Sequence, residues 1–129
     1  MSRSLPRLSA LLLAFGITSL VGCSDKFTPN DLVGSYALNV GPGSDVLELK
    51  GDGTYVHSYQ DSNVPKNELG GKWQLDNTPN GEVVTLDNFK VLPGENATGS
   101  GYYLLKPTRF FGSIRLMRNL DLNEFYKKQ

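Results

Sequence analysis

Beyond position 23 this chain is punctuated too often to build anything but short elements. Residues 23–129 hold 12 of its 14 Gly and 6 of its 7 Pro, about one breaker in every six positions. Between the breakers lie short runs that alternate apolar and polar residues with a period of two. No run of ten or more residues keeps a helical period. The pattern predicts eight strands, over about 34–40, 45–50, 54–60, 70–76, 82–89, 100–106, 110–118 and 123–128. Ahead of the first, Thr28-Pro29-Asn30-Asp31-Leu32 reads as one helical turn, with Thr28 as N-cap and Pro29 at its first position. Eight short antiparallel strands are expected to form an all-β meander that closes into a small barrel or a flattened barrel-like sandwich. Closure removes the sheet edges that would otherwise aggregate.

One hairpin is legible in detail. Leu47-Glu48-Leu49-Lys50 enters Gly51-Asp52-Gly53 and leaves through Thr54-Tyr55-Val56-His57-Ser58-Tyr59. A three-residue loop with Gly53 in the left-handed region pairs Leu49 with Tyr55 and puts Leu47, Leu49, Tyr55, His57 and Tyr59 on one face. A two-residue Asp-Gly turn would instead bring Val56 beside Leu49. The first is favoured because it gathers the larger apolar groups. An aromatic residue followed 13 positions later by a leucine recurs three times, as Tyr36 and Leu49, Trp73 and Leu86, Tyr103 and Leu116, the signature of similar hairpins in series. The expected inward set is Tyr36, Leu38, Leu47, Leu49, Tyr55, Trp73, Leu75, Val84, Leu86, Tyr103, Leu105, Ile114 and Leu116.

The N-terminal segment has a different character. Residues 1–7 carry Arg3 and Arg7 and no acid, and 8–22 run LSALLLAFGITSLVG without a charge. A basic start followed by a short apolar stretch is the layout of a secretory signal, and 15 residues fall short of the roughly 20 that span a bilayer. Leu20-Val21-Gly22-Cys23 resembles the bacterial lipobox at all four positions. That resemblance implies cleavage before Cys23, a diacylglyceryl group on its thiol and an acylated amino group. A signal peptide over 1–22 then precedes an acylated Cys and tether over 23–28 and a barrel domain over 29–129. The mature chain would keep 107 residues (129 less 22). It would carry 11 basic against 13 acidic side chains, since Arg3 and Arg7 leave. Several acyl chains anchor stably where one is marginal. In one bacterial sorting scheme an Asp after the Cys retains the protein in the inner membrane, so Ser24 implies the outer membrane, facing the periplasm.

A second resemblance concerns the domain. Asp31-Leu32-Val33-Gly34-Ser35-Tyr36, the Leu-x-Leu run before Asp52-Gly53-Thr54-Tyr55, and Gly71-Lys72-Trp73 are similar to the small lipocalin-like lipoproteins of bacteria, over about 27–87. The resemblance implies a barrel and no particular chemistry.

Side-chain chemistry is sparse. Equal numbers of basic and acidic residues, 13 of each, argue against a nucleic-acid partner, which needs a basic stripe. The single Cys excludes an internal disulfide, and one Cys with one His excludes a clustered zinc site. Asp52-Gly53 and Asp121-Leu122-Asn123-Glu124 lack calcium-loop spacing and read as turns. No metal, cofactor or catalytic residue is expected, and Gly94–Gly101 reads as a mobile loop. His57, flanked by Tyr55 and Tyr59, is either a packed strand residue or, with Trp73, part of a site for a small apolar or amphipathic ligand. The alternative is an interaction module, an envelope inhibitor, immunity-type or assembly factor. It would use its loops or a basic, aromatic C-terminal face with Lys106, Arg109, Arg115, Arg118, Lys127 and Lys128 beside Phe110, Phe111, Phe125 and Tyr126, facing a protein partner or the membrane.

Overall fold

Alternating side chains form strands because each run then buries one face and wets the other. The computed structural model describes residues 26–90 and 102–129. Cys23, the segment before it and the Gly94–Gly101 loop lie outside the described residues. A four-residue helix α1 (Pro29–Leu32) comes first, then β1 (Gly34–Leu38), β2 (Ser44–Leu49), β3 (Thr54–Gln60), β4 (Asn67–Thr78), β5 (Gly81–Asp87), β6 (Tyr102–Phe110), β7 (Ser113–Asn119) and β8 (Glu124–Lys128). Each strand pairs antiparallel with the next, and β1 pairs with β8 through Ala37 and Lys127, closing an eight-stranded barrel. The fold is all-β, as the alternation predicts. None of the described helices is long and apolar enough to cross a membrane.

The β2–β3 hairpin has the three-residue loop. Leu49 pairs with Tyr55 and Leu47 with His57, and Gly53 has φ of +85°. Asp52 is a turn residue here, its carboxylate accepting from the Thr54 amide and hydroxyl at 2.9 and 2.6 Å. α1 carries a capping box: the Thr28 hydroxyl accepts from the Asp31 amide, and the Asp31 carboxylate accepts from the Thr28 amide.

Strand boundaries depart from the expectation by three or more residues in two places, at the start of β4 and around the β6–β7 turn. β4 starts at Asn67 rather than 70, because its first half pairs with β3 down to Tyr59↔Asn67 while its second half pairs with β5. The predicted break at 107–109 is absent. β6 runs through Pro107 to Phe110 and turns at Phe111-Gly112. Pro107 is tolerated because β6 pairs with β5 only over Tyr102–Leu105, so no β5 partner awaits its missing N–H.

The core contains Tyr36, Leu47, Leu49, Tyr55, Trp73, Val84, Leu86, Leu105, Ile114 and Leu116 from the expected set, with Leu38, Leu75 and Tyr103 packed against it half-buried. Phe27, Leu32 and Tyr126 join them. Phe27 and Leu32, next to and within α1, plug the barrel end where β1 begins. We call this end the base, and the opposite end, with the β1–β2 and β7–β8 connections, the rim.

Candidate functional site

The four residues expected to surround a ligand are all buried, and each is spoken for by its neighbours. Trp73 Nε1 donates to the Lys50 carbonyl at 2.8 Å, and the Tyr55 hydroxyl donates to the Asp87 carbonyl at 2.5 Å. The Tyr59 hydroxyl donates to the Asp61 carboxylate at 2.8 Å. His57 lies at the centre of a polar knot. Its Nε2 is 2.7 Å from Asp45 Oδ1, and the Tyr126 hydroxyl donates to the same oxygen at 2.9 Å. A carboxylate acceptor that close places the proton on Nε2, and Nδ1 has no hydrogen-bond partner among the described residues.

Strand register brings these groups together. Asp45 shares the inward face of β2 with Leu47 and Leu49, and Asp45 pairs with Tyr59 while Leu47 pairs with His57. Phe89 then covers the imidazole, its ring stacked on His57 at 4.5 Å and on Tyr103 at 4.7 Å. Burial pushes the Tyr126 phenol far above its ordinary range, and the Asp45 charge adds to it. Tyr55 is raised to about 12, first by burial and then by the Asp87 carboxylate. An acid–base catalyst must reach its substrate, and a His57 that is 1% exposed beneath Phe89 does not. What this knot does is fix β2, β3 and β8 against one another.

The three arginines of the C-terminal face are also engaged within the molecule. Arg109 lies over the Phe27 ring at 4.6 Å and 3.6 Å from the Asp31 carboxylate, sealing the base. The Arg115 guanidinium is sandwiched between Phe110 and Phe125, at 4.0 and 4.1 Å. Arg118 pairs with Glu124 at 3.8 Å. The neighbouring apolar side chains stand free instead: Phe111 is 94% exposed, and Phe110 is about half exposed.

Two further surfaces are open among the described residues. A cleft of about 710 Å³ lies at the base, between Lys26-Phe27, the β4–β5 turn and the Lys106–Arg109 stretch of β6. Phe27 anchors one wall, its amide donating to the Glu82 carboxylate at 3.0 Å. At the rim, Val40, Leu120 and Leu122 are exposed. The Asn39 side chain ties their two connections together, donating to the Asn123 carbonyl and accepting from the Phe125 amide. Among the described residues no cluster of three metal-ligating side chains occurs.

Sequence reasoning missed Asp45, Phe89 and Phe27, and it puts Phe125 and Tyr126 on the outer C-terminal face, whereas the structure buries both. Asp45 was signalled by parity, two positions before Leu47 and four before Leu49. Phe89 and Tyr126 carried no local signal, because their partners are distant in sequence. No protein-family model, curated protein or solved structure matches the chain.

Proposed function

We propose that the chain is a bacterial envelope lipoprotein. Residues 1–22 direct export, Cys23 is acylated and becomes the mature N-terminus, and a non-enzymatic, lipocalin-like barrel hangs from the outer membrane into the periplasm. The basic start, the uncharged stretch and Leu20-Val21-Gly22-Cys23 support the anchor. The barrel acts as a protein-interaction module. The observation that carries this reading is the state of the four residues expected to face a ligand: Tyr55, His57, Tyr59 and Trp73 are buried and bond with the barrel's own residues, which favours recognition on the outside. The rim, with exposed Val40, Leu120 and Leu122, is the surface we assign to a partner.

Metabolic labelling with an alkyne fatty acid tests the anchor. The wild type takes up the label, and Cys23→Ser abolishes it and leaves the signal uncleaved. An unlabelled wild type sinks the anchoring. A photo-crosslinker at Leu122 in intact envelopes tests the rim, with Glu48 on the outer wall as control. A defined adduct at Leu122 that Leu120→Glu removes is expected, and adducts equal at both positions sink the interaction reading.

The basal cleft favours a second reading, a small amphipathic anion. Its chain would lie on Phe27 and Pro107 and its head group among Lys26, Lys106 and Arg109. Titration with decanoate checks it: Arg109→Ala should weaken binding about tenfold, the loss of one charge-assisted hydrogen bond. No saturable binding to the wild type ends this reading.

A further inference from the structure

We infer that the tip of the β6–β7 hairpin is a lipid-inserting wedge that sets the barrel base-down on the membrane. The inference rests on the acylation of Cys23 proposed above and adds a second, protein-borne contact with the bilayer.

The first observation is where the tether begins. Lys26 lines the same basal cleft as Arg109, and Phe27 is held there by Glu82 and by the Arg109 guanidinium. Only Ser24 and Asp25 separate Cys23 from Lys26, so the acylated residue lies at most about 10 Å of extended chain from the base. Acyl chains in the lipid therefore hold this end of the barrel at the head groups. Phe110 and Phe111 follow Arg109 directly in the chain, at the same end. The exposed Leu120 and Leu122 lie past the far end of the seven-residue β7, roughly 20 Å away along the barrel.

The second observation is what the tip is made of. Phe111 has φ of +47° and Gly112 of +78°, a two-residue turn with both positions left-handed. Asn or Gly fills the first of these at lower cost, whereas a bulky ring there is strained. The ring recovers little of that cost in the protein. It is 94% exposed and touches Phe110 edge-to-face, centroids 4.5 Å apart. Phe110 in turn is braced from behind by Arg115, whose other face rests on Phe125. A pair of aromatic rings is thus held out rigidly at the one end of the barrel that the tether brings to lipid. Aromatic side chains suit the boundary between head groups and acyl chains. Apolar insertion of the two rings supplies the driving force, with Lys26, Lys106 and Arg109 of the cleft at the same end of the barrel.

The test uses the full chain, purified in detergent and incorporated into phosphatidylethanolamine–phosphatidylglycerol vesicles with brominated acyl chains. Phe111→Trp and Leu122→Trp are compared with the wild type, whose buried Trp73 supplies the background. Co-flotation with vesicles, a blue shift and loss of most of the added emission for Phe111→Trp, and no added quenching for Leu122→Trp are expected. Co-flotation with equal or no quenching at the two positions overturns the wedge and leaves the anchor standing. Failure of the wild type to co-float overturns the anchor, and the wedge with it. Phe111→Asn supplies the control for folding. Its melting temperature should match or exceed the wild type's, and a drop of several degrees would mean the ring serves packing, which also overturns the wedge.

Discussion

Asp45 is the residue on which the interior depends. Its carboxylate is 5% exposed and is shared by His57 and Tyr126. Removing it strands two buried polar groups, and Asp45→Ala is expected to cost about 3–5 kcal/mol in urea denaturation. Tyr126→Phe removes one donor and leaves the His57 contact, so about 1–2 kcal/mol is expected. Tyr36, Tyr55 and Tyr126 bear on alkaline stability. Burial raises all three above the ordinary value of 10.0, and the unfolded phenols ionise first. Stability is then full below about pH 10 and falls as pH rises from there through about 12, where Tyr55 titrates. Melting temperatures recorded between pH 8 and 11 check this, and a curve flat across pH 10 to 11 contradicts it. His57 was legible as half of an ambiguity, ligand group or packed residue. Its partner Asp45 is signalled by parity alone, because a charged side chain goes against the apolar pattern that marks the inward face.

At the scale of elements, the sheet changes partners within β4. Gly71 sits at that switch, and a Cβ there would meet Asp87 Oδ1 at 2.5 Å, the Asp87 carbonyl at 2.7 Å and Tyr55 Cε1 at 2.8 Å. Gly71→Ala must push back backbone and a buried ring, so a loss of about 1–3 kcal/mol is expected. Gly51, in the β2–β3 loop, has open space around its Cα, and Gly51→Ala should be neutral or stabilising by about 0.5 kcal/mol. Denaturant midpoints of the pair provide the check, and equal effects would contradict it. The β2–β3 hairpin was readable to the residue because its turn chemistry and its apolar parity agree. The β6–β7 hairpin was displaced because Pro107 looks like a break, and only the absence of a β5 neighbour makes it harmless there. A Phe-Gly turn also lacks the Asn-Gly signal by which such turns are recognised.

For the whole molecule, closure at the base rests on a residue outside every strand. Phe27 is 7% exposed, covered by Arg109 and tied by its amide to Glu82. Phe27→Ala should cost about 3–4 kcal/mol, as for other large-to-small core changes, and lower the melting temperature accordingly. A change under about 1 kcal/mol would show that the base closes without it. The same residue fixes where the chain enters the barrel, at the base.

The sequence by itself determined the strand count, the all-β class, the helical cap, one hairpin register and nearly all of the core. Each of those is written in local period and turn chemistry, which act over a few residues. The proposed lipid anchor likewise rests on local signals, the basic start, the uncharged stretch and the four positions ending at Cys23. Tertiary contacts alone bring β1 to β8, pack and bond the expected ligand residues inside, stack Arg109 and Arg115 on Phe27, Phe110 and Phe125, and pair Arg109 with Asp31 and Arg118 with Glu124. Those outcomes join residues as many as 97 positions apart, as Lys128 reaches the Asp31 carbonyl, and no local pattern encodes such a meeting. Closing the barrel left a braced pair of phenylalanines outside at the base, the surface we propose as its contact with the membrane.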